Sequence, residues 1–173
     1  QLAMTAGSQA SFFILFNLFA GLCADGQRRY LELPLTPEYI GYADIPLDAE
    51  TLRGRRPLLE QTDRHRFKYR IDFATLALTE ASGAVCVSRP TNPTGNVLAP
   101  REMERLIELT ASAGVPLIID NAYGQPFPGI VFEPFDPLHA PHVIQCFSLS
   151  KLGLPGLRTG IVLADPETIE AVQ

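Results

Sequence analysis

Four short runs in the chain are apolar at nearly every position. They are Ala84-Val85-Cys86-Val87-Ser88, Val115-Pro116-Leu117-Ile118-Ile119, Val143-Ile144-Gln145-Cys146-Phe147 and Gly160-Ile161-Val162-Leu163. A strand with one wet face alternates polar and apolar residues. Runs without alternation predict strands buried on both faces, as in a mostly parallel sheet covered by helices. Between the first two runs, Met103, Leu106, Ile107 and Ala111 keep helical spacing, with Pro100 suited to the first turn and Gly114 to the stop. A second helix is predicted over 10–19, with Ser8 as its N-cap and Gly21 near its end. It is apolar almost all round, so it should be covered on most sides. Further predicted elements are a strand at Arg29–Leu33, a helix from Ile71 to Ala81 capped by Asp72, and a helix from Pro166 onward. Residues 34–42 and 125–142 read as proline-rich loops. Residues 48–70 are charged and irregular, which predicts a solvated excursion with His65 at the surface. The strand–helix–strand rhythm gives the fold class: α/β, three layers α/β/α, with a mostly parallel, mixed sheet.

Composition narrows this picture only a little. A chain of 173 residues with 46% apolar and 19% charged positions is enough for one domain with a real core. A formal charge of −5 argues against a basic nucleic-acid footprint. Cys23, Cys86 and Cys146 are dispersed and odd in number, so they form neither a disulfide framework nor a metal set. Cys86 and Cys146 lie in apolar runs and are expected as buried thiols in a reducing, cytoplasmic setting. The apolar stretch from Phe12 to Ala24 is broken by Asn17 and falls short of the roughly 18 residues a membrane span needs. The chain begins at Gln1 and stops at Gln173 inside a helical pattern, as expected of a fragment.

Candidate chemistry gathers at the ends of the predicted strands. In an open α/β sheet, ligands sit beyond the carboxyl ends of the strands. Asn92 follows the first apolar run, Asp120 and Tyr123 follow the second, and Ser148, Ser150 and Lys151 follow the third. Gly7-Ser8-Gln9 leads into a helix and can seat an anion on unpaired N–H groups, or be plain capping. Asp120 can be a turn residue. At the rim of an apolar sheet, however, its ionised form wants a cation, and a protonated pyridine nitrogen would serve. Tyr39 in its loop can stack on a flat ligand or simply pack. Ser148-Leu149-Ser150-Lys151 also matches the S-x-x-K of penicillin-recognising enzymes, but no S-D-N or K-T-G accompanies it. A lysine able to form a Schiff base, a phosphate seat and a carboxylate for a ring nitrogen together point to pyridoxal 5'-phosphate.

These residues resemble the class I aminotransferase group of fold-type-I pyridoxal-phosphate enzymes. The likeness rests on Asn92-Pro93-Thr94-Gly95, Asp120 with Tyr123, the 148–151 stretch and Arg158, and it extends through Pro37–Asp44 and Val87–Val97. It implies that Lys151 carries the cofactor, Asp120 pairs with the ring nitrogen, and Asn92 and Tyr123 bind the ring 3-hydroxyl. It further implies that Tyr39 stacks on the ring, and that Gly7, Ser8, Gln9, Ser148, Ser150 and Arg158 hold the phosphate. Lys151 to Arg158 is seven positions where many members have eight, a compact turn at Gly153-Leu154-Pro155-Gly156. The implied reaction is transamination, with valine and pyruvate as the expected amino acid and 2-oxo acid pair. A homodimer is implied, with neither nucleic acid nor membrane as partner. Residues 1–173 would be the cofactor-binding large domain, without the N-terminal segment and the small domain that carries the substrate-carboxylate arginine. Open alternatives are another type-I reaction and a cofactor-binding sensor domain of a transcription regulator.

Overall fold

A computed structural model describes residues 1–125 and 138–173. Most of the loop expected over 125–142 thus lies outside the described residues. In chain order the elements are β1 (Leu2–Thr5), α1 (Ser8–Phe19), β2 (Gly21–Leu22), β3 (Arg28–Leu33), β4 (Leu52–Gly54), β5 (Leu58–Asp63), β6 (Arg66–Arg70) and β7 (Ser82–Ser88). There follow α2 (Pro100–Ala113), β8 (Leu117–Asp120), β9 (Val143–Ser148), β10 (Gly160–Leu163) and α3 (Pro166–Val172). Short 3-10 turns lie at Ile40–Asp44, Ala49–Thr51, Leu149–Leu152 and Pro155–Leu157.

Among the described residues, one mixed sheet of eight strands has the order β1-β10-β9-β8-β7-β3-β2, with β4 alongside β3. Strands β9, β8, β7, β3 and β4 run parallel, and β10, β1 and β2 pair antiparallel at the flanks. Every residue of β7 and β8 is buried, which is why these runs do not alternate. Ala84 and Cys86 point to one face, where they join Phe12, Leu15 and Phe16 of α1 and Ile169 and Val172 of α3. Val85 and Val87 point to the other face, onto Met103 and Leu106 of α2. The expected three layers are therefore present, each large apolar side chain contributing about 1.5–3 kcal/mol of burial. Helix α2 has the predicted limits: the Glu102 carboxylate accepts the Ala99 N–H at 2.9 Å and Gly114 ends the last turn.

Four expectations are corrected. Residues 71–81 form no helix: Asp72 Oδ1 accepts the Ala74 N–H at 3.1 Å and Ser82 Oγ accepts the Thr79 N–H at 3.1 Å. Side-chain acceptors thus take the donors a helix would use, and a single turn at Asp72–Leu76 is all that closes. Residues 48–70 are exposed as expected but not irregular, because β5 and β6 form an antiparallel hairpin with Leu59 opposite Tyr69 and Gln61 opposite Phe67. Arg70 ties it to α2 through Glu102 at 3.0 Å. Helix α1 is covered on one side only among the described residues, leaving Phe13 and Leu18 exposed. Its N-cap is Gly7 rather than Ser8.

Candidate active site

The strand register sets the level of every site residue. Ser88 pairs with Asp120 and Asp120 with Cys146 across the parallel strands, Ser148 pairs with Gly160, and Gly160 pairs with Thr5. One rim of the sheet therefore receives the ends of β1, β7, β8 and β9 together with the start of β10. A cavity of about 510 Å³ opens on that rim. All predicted site residues except Gly7 line it. They are Ser8, Gln9, Tyr39, Asn92, Asp120, Tyr123, Ser148, Ser150, Lys151 and Arg158.

The anion seat is built by two close approaches. Gly7 has φ 96°, and a Cβ there would meet Arg158 Nη2 at 2.8 Å, so only glycine lets the guanidinium lie against the start of α1. This is also why the cap position carries no side chain, while Ser8, the first helical residue, lines the cavity. At Gly160 a Cβ would meet the Gly7 carbonyl carbon and Thr5 Oγ1 at 2.6 Å and Ser8 N at 2.7 Å. The missing side chain thus allows the α1 N-terminus to rest on β10. The first N–H groups of α1 have no acceptor within the helix. Arg158 is held in the left-handed region at φ 45°, with Nη1 donating to Ser150 Oγ at 3.4 Å and to Pro155 O at 3.5 Å. Ser148 Oγ accepts the Ser150 N–H at 3.2 Å and shapes the turn that carries Lys151. Lys151 is exposed, its Nζ 5.0 Å from the Tyr123 ring centroid.

The floor is acidic and buried. Asp120 Oδ1 accepts the Ala122 N–H at 2.8 Å, and Oδ2 accepts the Tyr42 hydroxyl at 2.6 Å. Burial pushes its carboxyl up from the ordinary range, with the two hydrogen bonds opposing. Among the described residues no ion pair reaches it. A buried carboxylate that faces a cavity with no cation paired to it fits a protonated ring nitrogen, and the Gly7–Arg158 seat fits a phosphate. The residues present therefore fit pyridoxal phosphate.

Three residues of this floor were not singled out from the sequence. Tyr42 is buried among Phe12, Phe16 and Tyr39, with ring centroids 5.3, 5.2 and 5.6 Å away, and its hydroxyl is pushed well up by burial and by Asp120. Ser88 Oγ lies 3.2 Å from that hydroxyl. Glu38 accepts the Ser88 N–H at 3.0 Å and the Ser88 hydroxyl at 2.5 Å. Burial pushes its carboxyl up to about 7, Asp120 adding and the Ser88 bonds opposing. The available signal was weak: a glutamate and a second tyrosine within the Tyr39 loop, and a serine that closes β7 as Asp120 closes β8.

Comparison with known proteins agrees with this geometry. The family described as aminotransferase class I and II matches residues 41–173. Valine–pyruvate aminotransferase of Escherichia coli is 52% identical over 172 residues, which are 99% of this chain and 41% of that protein. The crystal structure of valine–pyruvate aminotransferase from Salmonella typhimurium superposes with TM-score 0.89 at 50% identity, over 99% of this chain and 42% of that one. A Thermus thermophilus aspartate aminotransferase double mutant shares the fold at 21% identity and TM-score 0.74, over 99% of this chain and 43% of that one. The chain thus spans about two-fifths of the length of the relatives it matches. With lysine, carboxylate and anion seat on one rim, and so high an identity along almost the whole chain, this protein belongs to the class I and II aminotransferases, a family of pyridoxal-phosphate enzymes.

Proposed function

We propose that residues 1–173 form the cofactor-binding large domain of a pyridoxal-phosphate aminotransferase that moves the amino group of valine to pyruvate. The observation that carries this reading is the meeting of Lys151, Asp120 and Arg158 around one cavity. The valine and pyruvate pair rests on the 52% identity to the Escherichia coli enzyme. When bound, the cofactor supplies a carbonyl that takes the substrate amine and a ring that absorbs the electron pair left at the substrate Cα. Asp120 holds the proton on the ring nitrogen, itself oriented by the Tyr42 hydroxyl and the Ala122 N–H. Arg158, Ser148, Ser150 and the start of α1 bind the phosphate. Tyr39 would cover one ring face, and Asn92 and Tyr123 would bind the ring hydroxyl. Lys151 Nζ would hold the cofactor and, once the substrate amine has displaced it, would be the free amine placed to take the substrate Cα proton and return it.

Borohydride treatment of the complete gene product with pyridoxal phosphate tests the cofactor reading. The label should be found on the peptide containing Lys151. Label elsewhere, or undiminished label in Lys151→Ala, overturns it. Alanine formed from valine plus pyruvate tests the substrate pair, and good use of aspartate or an aromatic donor with none of valine refutes it. The same reading carries a cytoplasmic homodimer without nucleic-acid or membrane partners. Exposed Phe13, Leu18, Leu154 and Leu157 support an association surface, and no helix among the described residues is long and apolar enough to cross a membrane. Sedimentation of the holoenzyme decides the dimer.

A further inference from the structure

The carboxyls of Glu38 and Asp120 are joined by a continuous line of oxygens: Glu38 Oε2 to Ser88 Oγ at 2.5 Å, Ser88 Oγ to Tyr42 Oη at 3.2 Å, and Tyr42 Oη to Asp120 Oδ2 at 2.6 Å. Each of these contacts needs one hydrogen. Ser88 and Tyr42 bring one hydroxyl hydrogen each. The remaining hydrogen has to come from a carboxyl at one end of the line.

All four residues are buried, at 9% relative exposure or less. Other titratable neighbours do not supply a charge that changes this count. Cys86 on β7 and Cys146 on β9 are buried thiols pushed well up by burial, so they stay neutral. Arg53 and Arg55 near β4 are taken by Glu32, at 3.7 and 3.2 Å. Among the described residues no cation pairs with Glu38 or Asp120. Lys151 and Arg158 face Asp120 only across the open cavity. Two ionised carboxylates in one buried line with no paired cation would repel, so the pair retains a shared proton.

We propose that Glu38 is the proton store of Asp120, a positioning residue that acts through Ser88 and Tyr42 and holds the shared proton once the cofactor is bound. The inference rests on the cofactor reading above, because it is the ring nitrogen that requires Asp120 to ionise. Transfer along the line balances without any other reactant. Asp120 gives its proton to Tyr42 Oη, Tyr42 gives its own to Ser88 Oγ, and Ser88 gives its own to Glu38. The reverse sequence restores the first state. With the proton on Glu38, every hydrogen in the line points towards Asp120, and the one negative charge lies under the ring nitrogen. Burial raises the Glu38 carboxyl, so it holds this proton more firmly than a solvated glutamate and releases it only as pH rises. Asp120 then acquires a charged neighbour and binds the protonated ring more strongly.

Infrared difference spectra and cofactor absorbance of the complete gene product test this. In the loaded wild type at slightly acid pH, a carboxylic-acid carbonyl stretch should be present and should vanish in Glu38→Gln. The absorbance of the bound cofactor should titrate with the ionisation of Glu38. That titration should be absent in Glu38→Gln. It should move to higher pH in Ser88→Ala, where the ionised Glu38 loses its hydroxyl donor. Should Glu38→Gln not fold, Ser88→Ala carries the test alone. A merely structural Glu38 would alter stability and leave these titrations in place. Identical titrations in loaded wild type and both variants, or no acid stretch that Glu38→Gln removes, overturn the inference and leave the cofactor reading standing. A wild type that binds no cofactor overturns both.

Discussion

Replacing Glu38 by glutamine should change how stability depends on pH, by an amount the burial of this carboxyl sets. The group is raised from 4.5 to about 7 in the folded chain. It binds its proton more tightly folded than unfolded, so its favourable contribution is full below the unfolded value of 4.5 and is lost as pH rises through about 7. The rise of about 2.5 units, at about 1.4 kcal/mol each, corresponds to about 3 kcal/mol. Glutamine keeps an acceptor for the Ser88 N–H and offers an amide donor to Ser88 Oγ, but it cannot ionise. The variant should therefore lie close to wild type in acid and gain on it by about 3 kcal/mol towards about pH 8. Urea unfolding of the apo gene product over that range measures the difference directly, with other titrating groups largely cancelling between the two proteins. A difference that stays flat with pH would show that Glu38 is ionised or solvated in the folded state, and the argument from burial would fail.

Gly160→Ala places a methyl group within 2.6–2.7 Å of Thr5, Gly7 and Ser8, so it should destabilise by about 1–3 kcal/mol. It should also weaken cofactor phosphate binding, read by absorbance titration. Asp120→Asn removes the charge that holds the ring proton while preserving shape. Transamination should slow by about 10²–10³-fold with the cofactor still bound, as single-turnover kinetics will show. Leu106→Ala on the fully buried face of α2 should cost about 2–5 kcal/mol in urea unfolding while the spectrum of the bound cofactor is unchanged, because α2 packs on the opposite face from α1.

The central strands were legible because burial on both faces leaves a plain mark, the unbroken apolar runs of β7 and β8. Helix α2 was legible to the residue because Pro100, its amphipathic spacing and Gly114 agree. Asn92, Asp120, Tyr123, Ser148, Ser150 and Lys151 were singled out by one rule, that polar side chains past strand ends share a crevice, whereas Gly7-Ser8-Gln9 stood out as a helix start and Tyr39 as a loop aromatic. What escaped depended on partners distant in sequence. β1 is an edge strand defined by pairing with β10. The hairpin was masked by its many charges, although Arg66-Phe67-Lys68-Tyr69-Arg70 alternates cleanly. Glu38, Tyr42 and Ser88 form a line only after the 34–42 loop folds under the sheet rim, and no local spacing encodes that.

The contact between Gly7 and Arg158 joins residues 151 positions apart, and it exists only when β1 has inserted beside β10. Closing so long a loop is entropically slow compared with forming α2 or the hairpin. The anion seat is therefore among the last features to mature along the folding path. Cofactor capture then doubles as a checkpoint: a chain that has formed only its middle strands has nothing with which to hold a phosphate. Ligand binding selects molecules in which β1 and β10 have met.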